Sequence, residues 1–130
     1  MPRMIAVVPV SDEDTTALPV RILEPAIAFY LTVLGFSIFR REAAAVELDC
    51  DGVRLRLVER REHEPARAGS LAIEVDDLAA MHRQLQTRGG RPGEFGIGDW
   101  SGRRHRTFFL REDENGYCFC FYQPLEPEAT

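Results

Sequence analysis

The apolar positions of this chain recur at helical spacing in two segments and follow strand patterns in most of the others. Between Leu23 and Gly35, apolar side chains recur every three or four residues, which predicts a first helix that the glycine ends. A second helix is expected from Leu78 to Arg88, because two aspartates precede it as caps and two glycines follow it. Short apolar or alternating runs predict strands at residues 5–10, 36–41, 45–49, 53–59, 70–75, 104–110 and 117–122, with a further short strand at 91–95.

Turn residues connect these strands. Asp51-Gly52 predicts a tight hairpin, and Asn115-Gly116 predicts a turn that leads into the last strand, since these residues tolerate positive φ angles. The glycine-rich segment 96–102 predicts a flexible loop, and the acidic segment 11–16 predicts another.

The order strand, helix and three strands occurs twice, which indicates a duplicated supersecondary unit. A single domain of residues 1–130 is expected, with module one at about 4–59, a charged linker at 60–69 and module two at about 70–123. The first strand has two candidates. It is either residues 5–10, with 11–22 as an enlarged loop, or a segment near 18–22. Pro19 and the shortness of the second run favour residues 5–10.

Composition narrows the class of partner. With 21 acidic against 16 basic residues and a net charge of −5, the chain offers no support for nucleic-acid or membrane-surface binding. Apolar runs stay short of membrane-spanning length, and the start lacks a signal-peptide pattern. The 3 cysteines fit reduced thiols better than a disulfide framework, so a cytoplasmic location is expected.

The last strand predicts two different faces. Alternation places Phe119 and Phe121 on one side, where they would pack in the core beneath a helix. The other side carries Cys118, Cys120 and Tyr122, which suggests the lining of a cavity. Since free cysteine is commonly a small buried hydrophobe, packing or pocket lining is favoured over a nucleophilic role.

Four segments resemble one known family: Ala28-Phe29-Tyr30, Leu34-Gly35-Phe36, the strand-to-helix step from Ala72 to Leu78, and Asp113-Glu114-Asn115-Gly116-Tyr117. In this order and spacing they are similar to the vicinal oxygen chelate superfamily, which contains glyoxalase I, bleomycin-resistance proteins and extradiol dioxygenases. The resemblance implies an α+β fold in which two βαβββ modules form an open, barrel-like sheet around a cleft, with the helices outside. It also implies a homodimer and a small-molecule ligand.

Metal-dependent members of that family carry His and Glu ligands, and the resemblance allows each position to be tested. The positions of a family His and a family Glu fall on Ser70 and Cys120, and the first strand offers no ligand type. Of the histidines, His63 and His82 are expected to be solvated or packed, and only His105 could join the two thiols. We therefore expect no cofactor, and a divalent metal would require atypical ligands.

The remaining cleft residues allow more than one role. Arg54 and Arg56 either hold a carboxylate or phosphate or form an ordinary solvent-facing strand surface. Trp100 either stacks on a ligand, from a loop that closes the cleft, or packs at a dimer interface. The predicted cleft comprises Arg54, Arg56, Ser70, Glu74, Trp100, His105, Cys118, Cys120 and Tyr122.

Three functions follow from these patterns. The first is a metal-free small-molecule-binding protein of the bleomycin-resistance kind. The second is an enzyme, either a metal-dependent lyase, isomerase or dioxygenase with atypical ligands or a thiol-dependent enzyme that uses Cys120. The third is a non-catalytic interaction domain. The missing His and Glu ligands favour the first function over the second.

Overall fold

The computed structural model describes residues 2–9, 14–100 and 102–125 and contains two α-helices and nine β-strands in that part of the chain. None of the helices described is long and apolar enough to cross a membrane. The helices are α1 (Leu23–Thr32) and α2 (Leu78–Thr87), and the strands are β1 (Met4–Pro9), β2 (Leu18–Val20), β3 (Ser37–Arg41), β4 (Ala45–Cys50), β5 (Val53–Glu59), β6 (Ser70–Val75), β7 (Gly96–Trp100), β8 (Arg103–Arg111) and β9 (Cys118–Pro124).

The strands form two mixed sheets, which confirms the predicted α+β class. A four-stranded sheet has the order β2-β5-β4-β3, and a five-stranded sheet has the order β1-β6-β9-β8-β7. In each sheet the strand before the helix lies parallel to the last strand of its module, as β2 with β5 and β6 with β9. The other neighbours are antiparallel. The sheets remain open and do not close into a barrel among the described residues, as predicted.

The choice of residues 5–10 as the first strand of module one is wrong. The strand that occupies this position is β2, which pairs in parallel with β5. Pro19 is tolerated there because β2 is an edge strand, so its missing N–H breaks no ladder on the open side. The earlier run is a strand too, β1, but it pairs antiparallel with β6 of the other module. Val10 and residues 11–13 of the predicted loop lie outside the described residues.

A second correction concerns the glycine-rich segment. Residues 91–95 form no strand, and the predicted loop 96–102 instead contains β7, which pairs with β8 from Gly96 opposite Thr107 to Trp100 opposite Arg103. Glycine weakens a strand interior, but an edge strand that is hydrogen-bonded along its inner side tolerates it. The turn itself is confined to the end of the segment, where Gly102 has φ +71°.

The two helices begin and end close to their predicted limits. Asp77 caps α2, its carboxylate accepting a hydrogen bond from the Ala80 backbone N–H at 3.0 Å. The buried face of α2 consists of Leu78, Met81 and Leu85, which recur at helical spacing. After α1 the chain reverses at Gly35, whose φ of +83° suits a residue without a Cβ.

The helix-bearing sides of both sheets share one hydrophobic core. Phe119 of β9 carries this contact, because its ring stacks on Phe29 of α1 at 6.3 Å and meets the edge of Tyr30 at 5.9 Å. Phe121 is also fully buried and stacks on Phe108 at 5.0 Å. The predicted core side of the last strand is therefore confirmed. The opposite side of the five-stranded sheet takes no part in this core.

Candidate ligand-binding face

The face of the five-stranded sheet opposite to the core is built around β9. Strand alternation turns Cys118, Cys120 and Tyr122 to this side, where Cys118 is half-buried and the other two are buried. The parallel register places Ser70 of β6 opposite Cys118, and Glu74 opposite Tyr122. Five of the predicted cleft residues thus lie together on one surface, which we call the ligand face.

His105 of β8 joins this group. It is 4% exposed, and its ring meets that of Tyr122 edge-on with the centroids 5.3 Å apart. Thr107, two residues further along β8, lies directly opposite Tyr122 and is also buried. The ligand face therefore places an imidazole, a hydroxyl and a phenol side by side.

Sequence reasoning missed the apolar part of the ligand face. Phe109 lies opposite Cys120 and is 54% exposed, and Ala72 lies opposite Cys120 on the other side. Val8 of β1 pairs with Ala72 and is 48% exposed. Alternation along β8, counted from His105, gives Thr107 and Phe109, so that signal was present in the sequence. Val8 could be found only from the pairing of β1 with β6.

The Glu74–Tyr122 pair is the main electrostatic feature of the ligand face. The Tyr122 hydroxyl donates to Glu74 Oε1 across 3.5 Å, a long hydrogen bond. Burial and, next, the nearby Glu74 carboxylate raise the pKa of Tyr122 above its ordinary value. The phenol is therefore a neutral hydrogen-bond donor at physiological pH, and Glu74 is the acceptor beside it.

The thiol environment disfavours nucleophilic chemistry at Cys120. Burial, with a smaller contribution from Cys118, raises the pKa of the Cys120 thiol to about 11. The attacking species is the thiolate, so at neutral pH this residue is almost entirely in its unreactive form. Cys50 lies at the end of β4 in the other sheet, and burial raises its pKa to about 12.

The structure does not bring Arg54 and Arg56 into the ligand face, since both lie on β5 in the other sheet. Arg54 forms ion pairs with Asp49 at 3.2 Å and Glu47 at 3.8 Å, and its guanidinium lies 3.3 Å from the ring centroid of Phe39. Arg56 pairs with Glu42 at 3.3 Å. Their donors are directed to carboxylates of the same sheet, which matches the interpretation as a solvent-facing strand surface.

Trp100 ends β7, and its backbone pairs with Arg103. Its side chain lies outside the described residues, so its role against a ligand or at an interface stays a prediction. The segment before it is a strand rather than the predicted closing loop.

The other two histidines have packing roles, as predicted. His63 Nε2 is 2.9 Å from the Asn115 carbonyl oxygen, and its ring stacks on Tyr117 at 5.8 Å. His82 Nε2 is 2.9 Å from the Gly93 carbonyl oxygen, and its ring contacts Phe95 at 4.6 Å.

The donor set of the ligand face does not fit the family's metal. Across the described residues, no three His, Cys, Asp or Glu side chains come together in a group that could hold a metal ion. Ser70 and Cys120 stand at the positions where the resemblance places ligands. The two residues are not cross-strand neighbours, because Ser70 lies opposite Cys118 and Cys120 lies opposite Ala72. A hydroxyl and a protonated thiol are poor ligands for a divalent cation.

Comparison with known proteins supports the fold described above. Residues 14–121 match the family model of the Glyoxalase/Bleomycin resistance protein/Dioxygenase superfamily, a span that includes β2 and leaves out β1. The structure is similar to that of a bleomycin resistance determinant encoded on transposon Tn5, with 25% identity, a TM-score of 0.71, and coverage of 87% of this chain and 98% of that chain.

Two further structures share the fold at lower identity. One is a glyoxalase/bleomycin resistance protein/dioxygenase from Alicyclobacillus acidocaldarius, with 23% identity, a TM-score of 0.69, and coverage of 89% of this chain and 93% of that chain. The other is a bleomycin-binding protein from Streptomyces verticillus in complex with copper(II)-bleomycin, with 23% identity, a TM-score of 0.60, and coverage of 82% and 90%. No curated protein matches the sequence significantly.

Proposed function

The chain belongs to the glyoxalase/bleomycin resistance protein/dioxygenase superfamily, and from that premise and the geometry above we propose that it binds a small molecule on the ligand face without the metal of its enzymatic relatives. The observation that carries the proposal is the composition of this face. The Glu74–Tyr122 pair and His105 lie among apolar side chains, namely Ala72, Phe109 and the thiols. A few placed polar groups in apolar surroundings are typical of small-molecule sites.

The exposed apolar side chains of the ligand face support the proposal that a second protein surface covers it. Phe109 and Val8 are about half exposed in the single chain, although Thr107 and Tyr122 on the same face are buried. An open sheet face gives a small ligand too little contact, because pockets usually enclose most of the ligand surface. We propose that a second copy of the chain covers this face and completes the cleft, as the homodimer of the family resemblance implies.

The first ligand to test is bleomycin. The Tn5-encoded relative is a bleomycin resistance determinant, and the Streptomyces verticillus relative binds copper(II)-bleomycin. The fold is compatible with the same ligand class, but the residues of the ligand face are this chain's own. A panel of aromatic acids and other antibiotics therefore accompanies bleomycin in the test.

A thiol-dependent enzyme is the weaker alternative. Its nucleophile would be Cys120, whose pKa of about 11 leaves little thiolate at neutral pH. Catalytic thiols have lowered pKa values and partial exposure, whereas this thiol is buried with a raised pKa.

The experiment is calorimetric titration of chelator-treated protein with each compound, compared with Phe109→Ala and Ile97→Ala. The two side chains are similarly exposed, at 54% and 59%, but Ile97 lies opposite Arg106 on the other face of the same sheet. We expect the Phe109 variant to bind the ligand at least about tenfold more weakly, the loss of about 1.4 kcal/mol that removal of a contacting aromatic ring can cause. The Ile97 variant should bind like the unchanged protein.

Sedimentation analysis of the same samples tests whether a second copy of the chain covers the ligand face. Phe109→Ala should then also weaken self-association. Binding that requires an added divalent metal, or equal losses from both variants, would contradict the proposal.

A further inference from the structure

A second groove lies where the two modules meet, away from the ligand face. It has a volume of about 460 Å³ and is lined by Arg21, Ile22, Arg61 and Glu114. We call it the junction groove. Its walls come from three separate segments: the entry to α1, the linker between the modules, and the turn between β8 and β9.

Hydrogen bonds to Asn115 fix these walls relative to one another. The Arg21 backbone N–H donates to Asn115 Oδ1 at 2.9 Å, and His63 of the linker lies 2.9 Å from the Asn115 carbonyl oxygen. Asn115 is itself held by the buried Glu112, whose carboxylate accepts from the Asn115 side-chain amide at 2.8 Å. One buried residue of the turn, Asn115, therefore bonds to both of the other walls, to the entry of α1 through its side chain and to the linker through its backbone carbonyl.

Gly116 brings the turn close to the linker. Its φ is +84°, and a Cβ at this position would lie 2.1 Å from the Pro65 carbonyl oxygen. Only glycine permits this approach, so the Asn-Gly pair in the turn has a structural role at the junction. The close approach of Gly116 to Pro65 and the hydrogen bonds of Asn115 together fix the geometry of the groove.

The arginines of the junction groove differ in their ion pairing from the two arginines of β5. Within the part of the chain that the structure describes, Arg21 and Arg61 form no ion pair with any carboxylate. The carboxylate of Glu59, which is close to this entry, already accepts from the Leu23 backbone N–H at 2.9 Å. Among the described residues that line the groove, two are arginines and one, Glu114, carries a carboxylate.

Ile22 adds an apolar side chain to the lining of the groove. It is 58% exposed, which is a large exposed fraction for a side chain of this size at the start of a helix. Arginine forks bind oxyanions through paired hydrogen bonds, and an exposed isoleucine favours contact with an apolar group. We propose that the junction groove binds a small oxyanion attached to an apolar group, with a doubly charged phosphate monoester preferred over a carboxylate. This site is separate from the ligand face and does not depend on its function.

The test uses three probes: inorganic phosphate, phenyl phosphate and benzoate. Each is titrated into the full-length protein while amide chemical shifts are followed by NMR. We expect saturable shifts at Ile22, Asn115 and Gly116. Phenyl phosphate should bind at least about fivefold more tightly than inorganic phosphate or benzoate, because it combines the dianion with the apolar ring.

A second arginine pair provides the matched control. Arg103 and Arg104 line a groove of about 420 Å³ at the hairpin between β7 and β8, but Arg104 is paired with Asp99 at 3.5 Å. The double variant Arg21→Gln/Arg61→Gln should weaken phenyl phosphate binding at least about tenfold. The double variant Arg103→Gln/Arg104→Gln removes the same charge and should change the affinity less than about twofold.

Two single variants separate the charged and apolar contributions. Ile22→Ser should weaken phenyl phosphate and leave inorganic phosphate unchanged, whereas Glu114→Gln should strengthen both. The proposal is overturned by equal losses from the two double variants, which would indicate general charge attraction. It is also overturned by shifts that fail to saturate or that concentrate on the ligand face, and these results would leave the proposed function intact.

Discussion

The two sheets of this protein present different surfaces on the sides that face away from the shared core. On the four-stranded sheet, charged side chains neutralise one another, as Arg54 of β5 does with Asp49 of β4 and Arg56 with Glu42 of the connection between β3 and β4. On the five-stranded sheet, the arginines of β8 on the same side, Arg103 and Arg111, lie at the ends of the strand, and the central polar pair is Glu74 with Tyr122. One βαβββ unit thus has a solvated surface, and we propose that the other has a ligand site. Both units turn one face of their sheet away from the core, and the two faces differ in their side chains.

The largest effect should follow from placing an arginine on the ligand face, which gives it the character of the other sheet. Cys120→Arg introduces a charge at a buried position with no acidic residue directly opposite on either neighbouring strand. We expect a destabilisation of about 2–4 kcal/mol and the loss of ligand binding, because a charge in apolar surroundings is costly. Urea unfolding and calorimetric titration measure the two effects. Cys120→Ala is the control and should retain both the fold and most of the affinity.

Alkaline pH should weaken the fold through one thiol in each sheet, the buried Cys120 and the half-buried Cys50. The pKa of Cys120 is about 11 and that of Cys50 about 12 in the folded protein, against about 8.5 for an unperturbed thiol. Between these values the unfolded chain loses its thiol protons first, so stability falls as the pH rises from about 8.5 to 11.

Each pKa unit corresponds to about 1.4 kcal/mol, so we expect each thiol to account for a loss of the order of 1–3 kcal/mol. Urea unfolding at pH 7, 9 and 10.5 measures this loss. The slope should become shallower in Cys120→Ala and shallower again when Cys50→Ala is added. An unchanged slope in both variants would show that the thiols are solvated.

A smaller effect is expected from the polar pair of the ligand face. Glu74→Gln removes the negative charge that the Tyr122 hydroxyl contacts and keeps the shape of the side chain. We expect a five- to tenfold loss of ligand affinity, about 1–1.4 kcal/mol, with stability changed by less than about 0.5 kcal/mol. Tyr122→Phe should give a loss of similar size. If both variants bind the ligand with the affinity of the unchanged protein, this pair is not part of the site.

The smallest effect belongs to the four-stranded sheet. Arg54→Gln should change stability by about 0.2–1 kcal/mol, because its ion pairs are largely exposed to solvent. Ligand affinity should stay the same. A double-mutant cycle with Asp49→Asn measures the coupling between the two side chains, and a strong loss of ligand binding in either single variant would place this sheet in the site after all.

Local signals predicted most of the fold. Asp51 and Gly52 both have positive φ angles, as the tight hairpin requires, and the carboxylate of Asp77 caps its helix as expected. Alternation along β9 correctly placed Phe119 and Phe121 on the core side. These features depend on residues close together in the sequence, and the physics that determines them is local.

The errors came from pairings between distant segments. Two short apolar runs competed for the first strand, and the choice depended on whether β5 or β6 lies beside each of them. The glycines of β7 resemble a loop until β8 supplies the hydrogen bonds. Arg54 was predicted in the cleft, but its cross-strand neighbours are acids that pair with it. Phe109 was not predicted there, but it lies beside Cys120 on the ligand face. A single sequence does not contain the register that decides these contacts.

We propose that the ligand face binds a small molecule without a metal, and amide chemical-shift mapping of chelator-treated protein is the most direct test. With bleomycin, or the tightest compound of the panel, the shifts should concentrate at residues 70–74, 105–109 and 118–122, without added metal and with saturation. Shifts centred on the four-stranded sheet, or binding that appears only when a divalent metal is supplied, would contradict metal-free binding on the ligand face.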